Sequence, residues 1–126
     1  MTRIVCEEDC GNAPKKLQVR ELLTAMAKAS ALSILKHFTE DVVLEAVGVG
    51  RIEGMAAAAA HFTSEKRRPA AQLVIRNILT HGPTAAANGV ITSADGKRYG
   101  FSEFYHFAGS ARGAKIRRVT SYTIPL

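Results

Sequence analysis

Tryptophan is absent from this chain, and with two cysteines in 126 residues there is no disulfide framework to find. Cys6 and Cys10 stand in an acidic N-terminal arm. Their Cys-x-x-x-Cys spacing matches neither a zinc nor a thioredoxin signature, and no second pair exists to complete a tetrahedral site. The expectation is two free thiols. The four histidines show no paired spacing such as His-x-x-x-His, so neither a metal nor a cofactor is expected. No apolar stretch approaches the roughly 20 residues that span a bilayer. Acidic residues occupy the N-terminus where a signal peptide needs an apolar core, which implies a cytoplasmic protein with no membrane partner. Gly48-Val49-Gly50 lacks the strand-to-helix context of a phosphate loop and reads as a turn. No Ser-His-Asp arrangement can be assembled.

Positive charge is in excess, at net +6 from 17 Lys and Arg against 11 Asp and Glu. The basic residues lie scattered in small groups: Lys15-Lys16, Lys66-Arg67-Arg68, Lys97-Arg98 and Arg117-Arg118. No helix-turn-helix, zinc-finger or stacking-aromatic motif accompanies them, so they read as solvated charge and not as a nucleic-acid surface.

What the chain does have is the segment Tyr99–Phe107. With a period of two it places Tyr99, Phe101, Glu103, Tyr105 and Phe107 on one face of a strand. Four aromatics flanking one carboxylate form a face too large to leave in water, and a carboxylate inside it must be hydrogen-bonded or functional. That face is expected to floor a pocket roofed by the first half of the chain.

Residues 1–12 read as an arm, and 13–126 as a single α+β domain. Asn12 offers an N-cap for a helix from Pro14 to about Ser30, with Leu17, Leu22 or Leu23, and Met26 inward and Lys15, Lys16, Arg20, Glu21 and Lys28 largely on the other side. Ser30 opens a short helix, Leu32–Phe38. A β-prone run follows at Val42–Val47, then a third helix from Met55 to about Lys66. Four long strands complete the chain: Gln72–His81, Thr84–Ser93, Lys97–Phe107 and Lys115–Ile124. The fold class expected is three N-terminal helices packed on a curved, mostly antiparallel sheet.

Two turns set an expected register. A two-residue Asp95-Gly96 loop puts Glu103 opposite Asn88, and a two-residue Gly82-Pro83 loop puts Asn77 opposite Asn88. Asn77, Asn88 and Glu103 would then form one polar row on the pocket floor. The opposite face would carry Val74, Arg76, Ile78, Ile91 and Phe104, with no helix left to cover it. Homodimerisation through that outer face is the inference.

With these elements in place, the chain resembles a SnoaL-like member of the nuclear transport factor 2-like superfamily. The resemblance rests on Leu35–Glu45 (LKHFTEDVVLE), Gly48, Ile52-Glu53-Gly54, the Ala94-Asp95-Gly96 hairpin, and Phe104–Phe107 leading to Lys115-Ile116. It implies a cone: a bent sheet wrapped round three helices, with a pocket inside and commonly a dimer. Members include isomerases, cyclases, dehydratases, hydrolases and non-catalytic modules. Matched on Phe38 and Asp41, the catalytic tyrosine of the steroid isomerases falls on Leu22 and their base on Ala46, so both groups are missing. Their third position retains a carboxyl, Glu103.

The candidate catalytic residue is therefore Glu103. A neutral carboxyl there donates a hydrogen bond to a substrate oxygen, and an ionised one serves as a base. The expected pocket comprises Leu22, Met26, His37, Phe38, Asn77, Asn88, Tyr99, Phe101 and Tyr105, around a small apolar or oxygenated ligand. The alternative is a non-catalytic binding or dimerisation module whose cavity is filled by side chains.

Overall fold

A computed structural model describes the whole chain, Met1–Leu126. In order the elements are β1 (Arg3–Cys6), α1 (Pro14–Ala27), α2 (Ala31–Leu35), β2 (Phe38–Ala46), β3 (Gly50–Glu53), α3 (Met55–Phe62), β4 (Gln72–His81), β5 (Thr84–Thr92), β6 (Arg98–Phe107) and β7 (Ile116–Pro125). All seven strands join one sheet in the order β1-β4-β5-β6-β7-β2-β3. Most pairs are antiparallel; β1–β4 and β2–β7 run parallel.

The expected block of three N-terminal helices is thus broken up. The arm contributes a strand, because Ile4 and Val5 supply the apolar residues that let it pair with β4. β2 and β3 form a hairpin between α2 and α3. α2 is shorter than expected, since Phe38 opens β2 instead of closing the helix.

Pro14 starts α1, where a missing N–H costs nothing. Neither Asn12 nor Ser30 caps a helix with its side chain, and the residue preceding α1 is Ala13. α1 ends at Ala27 because Ala29 adopts a left-handed φ of 55°, with its N–H bonded to the Met26 carbonyl and that of Ser30 to Ala25. α1 packs on β4 and β5, α2 on α1 and α3, and α3 on β2 and β3. The largest fully buried side chains come from both layers: Leu22 and Ile34 from helices, Phe38, Leu73, Ile75, Ile78, Tyr105, Phe107 and Ile116 from strands. Lys15, expected on the solvent side, is buried. Its Nζ donates to the Ser110 and Ala111 carbonyls at 3.1 and 2.9 Å and sits 4.9 Å from the Phe107 ring centre.

The register of the central hairpin differs from expectation by one residue. The β5–β6 loop is three residues long, Ala94-Asp95-Gly96. Ser93 N–H donates to the Lys97 carbonyl, Gly96 N–H to the Ser93 carbonyl, and Lys97 N–H to the Asp95 carboxylate at 3.1 Å. Gly96 takes φ 88°, the conformation that a three-residue loop with a bulge requires. Glu103 consequently pairs with Ala87, and Asn88 with Ser102.

β4 carries a second irregularity. The Gly82-Pro83 turn does pair His81 with Thr84 and Asn77 with Asn88, but a bulge at Arg76 separates that register from the one beginning at Ile75–Gly89. Arg76 and Asn77 both face outward as a result, while Ile75 and Ile78 both face the core. Asn77 and Asn88 bond to each other at 2.9 Å on the exposed face, away from Glu103. Ile78, fully buried, and Ile91, packed against the core, belong to the inner face and not to the outer one.

Candidate functional site

The inner face of β6 is where the carboxylate meets its partners. Tyr105 lies two residues along the same face and donates its hydroxyl to Glu103 Oε1 at 2.6 Å. Ser121, directly across on β7, donates to Oε2 at 2.7 Å. On the other side the cross-strand neighbour is Ala87. Tyr105 is completely buried, and burial first, then the adjacent Glu103 charge, pushes its hydroxyl well above the usual tyrosine range. It therefore keeps its proton and acts as a donor. Each Glu103 oxygen accepts one hydroxyl, so the side chain is positioned by both its own strand and the next.

Glu103 opens onto a cavity of about 490 Å³, within the range of small-molecule sites. The apolar wall comes from Met26 at the end of α1, Leu44 on β2, Ile52 on β3, Phe62 on α3 and Val119 on β7. The β2–β3 hairpin, residues 44–46 and 49–52, forms its rim. Ala46, where a steroid isomerase would carry its base, lines this cavity as a bare methyl.

The lining also includes a cation. Arg67, in the connection between α3 and β4, lays its guanidinium over the Phe62 ring at 4.8 Å, and a terminal nitrogen donates to the Met26 carbonyl at 3.4 Å. Its Nε is buried without a hydrogen-bond partner, and desolvation lowers its pKa. His61 meets Phe62 edge-on with ring centres 4.8 Å apart. Partial desolvation, then the Arg67 charge, lowers the His61 pKa, although the residue stays largely exposed. Arg51 and Glu45 also reach the cavity, but each is paired, Arg51 with Glu53 at 3.2 Å and Glu45 with Arg118 at 3.3 Å. Nowhere do three or more His, Cys, Asp or Glu side chains gather as a metal site would need.

Of the expected pocket residues, Glu103 and Met26 line the cavity. Tyr105 reaches it only through its bond to Glu103. Leu22 and Phe38 are core, Phe38 packing on Phe62 at 6.2 Å. Tyr99 and Phe101 are partly buried on the same face as Glu103 but do not line the cavity. His37 is buried beneath α2, with Nε2 unbonded and 3.8 Å from a Glu21 oxygen; burial lowers its pKa and Glu21 partly opposes this. Asn77 and Asn88 stand on the opposite side of the sheet.

Ser121, Arg67 and the β2–β3 hairpin were not anticipated, and nothing in the sequence placed His61 at the cavity. Ser121 depends on the β6–β7 register, which a long irregular turn conceals. The β4 bulge did leave a trace: apolar residues at 73, 75 and 78 break strict alternation around the polar pair Arg76-Asn77.

The family model for the SnoaL-like domain matches residues 19–119. A search of the curated proteins finds no match. Among solved structures, a nuclear transport factor 2-like protein of unknown function from Burkholderia xenovorans superposes with TM-score 0.74 at 16% identity, covering 91% of this chain and 86% of that one. A ketosteroid isomerase-like protein from Kribbella flavida gives TM-score 0.70 at 22% identity, over 88% of this chain and 78% of its own. The epoxide hydrolase/cyclase-like enzyme SalBIII, of pyran-ring formation in the polyether salinomycin, gives 0.63 at 18% identity, over 87% and 90%. At these identities the structural matches establish the fold alone. Matching most of the domain from α1 to β7, the family model establishes more: this chain belongs to the SnoaL-like family.

Proposed function

We propose that this chain binds a lipophilic, oxygenated small molecule in the cavity on the inner face of the sheet, and that Glu103 acts on it as a general base, in chemistry of the isomerase, cyclase or dehydratase type. The observation that carries this reading is a carboxylate bonded by two hydroxyls and open to a cavity of about 490 Å³. A carboxylate accepting one bond on each oxygen keeps lone pairs free for a ligand proton. The surrounding apolar wall strengthens any interaction it makes. The two hydroxyls also position it, as a base must be positioned to within hydrogen-bond reach of the proton it takes. Among the fold neighbours, the names ketosteroid isomerase-like and epoxide hydrolase/cyclase-like support chemistry of this class. The missing groups at Leu22 and Ala46 argue against steroid isomerisation itself.

A carbon-acid probe that needs only a base in an apolar cavity, nitrobenzisoxazole, tests the reading. Wild-type protein should open its ring faster than an equal concentration of acetate, and Glu103→Gln should lower that rate by about 10²-fold or more. Equal rates for wild type and variant would remove Glu103 as a base.

The outer sheet face supports a second proposal, homodimerisation. Leu79, Phe104, Tyr122 and Ile124 are all exposed on that side, and Phe104 and Tyr122 pack edge to face at 6.5 Å. Adjacent exposed apolar side chains on four-stranded antiparallel surface fit a self-complementary interface between two copies.

A further inference from the structure

The cavity contains two charges of opposite sign that do not neutralise one another. Glu103 is held by hydroxyls and forms no ion pair, and Arg67 has no carboxylate within ion-pair distance. The other charged groups of the lining, Arg51 and Glu45, are already paired. Arg67 is also short of hydrogen bonds: one long bond to the Met26 carbonyl, and a buried Nε with none. A guanidinium carries five donors, and on this half-buried side chain the buried Nε has no partner while the outer donors remain available to a ligand. Its guanidinium nevertheless lies over the Phe62 ring, which His61 also meets at 4.8 Å between ring centres. A cation held in place but lacking a counter-ion, in the wall of a cavity, is a site for an anion.

We propose that the cavity takes a small organic acid, whose carboxylate docks at Arg67 beside His61 while its uncharged end faces Glu103. The inference rests on the reading of the cavity as a ligand site. One guanidinium takes one carboxylate in a bidentate pair. Glu103 supplies direction. It repels the anionic end and accepts a proton from the other, so a ligand with a carboxylate at one end enters in one orientation only.

Isothermal titration with 2-naphthoate and its neutral isostere 2-naphthamide tests this on the unmodified protein. The acid should bind about tenfold or more tightly than the amide, as expected for a charge-assisted pair. Arg67→Gln should abolish the difference by weakening the acid alone, Arg67→Lys should restore part of it, and Arg68→Gln, at an exposed neighbour, should leave it intact. Acid and amide binding alike to wild type would overturn the role of Arg67 while leaving the cavity as a ligand site. A difference that survives in Arg67→Gln would do the same. Failure of the acid to bind overturns the proposal, and failure of both compounds counts against the cavity reading as well. Because the acid–amide comparison uses wild-type protein, it stands even if Arg67→Gln fails to fold.

Discussion

The two faces of the sheet are made from alternate residues of the same strands, yet they solve opposite problems. On β6, Glu103 points inward and has every oxygen matched by a hydroxyl, while its neighbour Phe104 points outward and is 48% exposed. On β4, Ile78 is fully buried and Leu79, one residue on, is 65% exposed. The inner face thus places a charge among apolar groups and satisfies it. The outer face places apolar groups in water and leaves them uncovered. A half-buried charged group with partners points to a built site, and an uncovered apolar patch points to a missing partner. The lesson is that each face shows its purpose by the residue that does not suit it.

The sharpest contrast is between adjacent residues. In a monomeric background such as Phe104→Glu, Ile78→Ala should destabilise the fold by about 2–5 kcal/mol, whereas Leu79→Ala should change it by no more than about 0.5 kcal/mol, both read from chemical denaturation. Similar costs at the two positions would contradict the assignment of faces. Gly89 tests the inner face more closely. A Cβ built there would lie 2.0 Å from the Val74 carbonyl oxygen and 3.0 Å from the Phe101 ring, where the β4 bulge crowds its partner strand. Gly89→Ala should therefore cost about 1–3 kcal/mol by forcing backbone to shift.

On the outer face, Phe104→Glu should convert a dimer to a monomer on size exclusion while shifting the denaturation midpoint of that monomer little. An unchanged elution volume would remove this face as an interface. The smallest effect concerns pH. Burial holds the folded His37 pKa below 6.5, with His61 shifted the same way. The unfolded chain thus takes up the proton first, and stability should be full above about pH 6.5 and decline as pH falls below it toward the folded pKa. The lowered carboxylates Glu8, Glu21 and Asp95 add their own loss only at more acidic pH. His37→Gln should flatten the first decline; an unaltered slope would place its origin elsewhere.

Much of the fold was legible because strong breakers bound its elements. Pro14 starts α1, and Gly82-Pro83 pairs His81 with Thr84, as the two-residue turn predicts. The failures that moved the candidate site were failures of register, each caused by one extra residue. A three-residue loop at Ala94–Gly96 moved Glu103 from Asn88 to Ala87, and the Arg76 bulge turned Asn77 outward. Because side chains alternate, each shift of one reversed a face. The partners of Glu103 were hidden for different reasons. Tyr105 was in plain view at two residues' distance, but Ser121 lies beyond an irregular turn. Arg67 sits in a connection whose path no local pattern specifies.

A base at Glu103, as proposed, has a role separable from holding the fold together. The direct measurement is Glu103→Gln, assayed for nitrobenzisoxazole ring opening and, on the same sample, for its melting temperature. The rate should fall by about 10²-fold or more with the melting transition nearly unchanged, since Gln keeps the shape and can still accept a hydroxyl bond. A variant that melts far lower yet retains the full wild-type rate would make Glu103 a structural carboxylate and contradict the account.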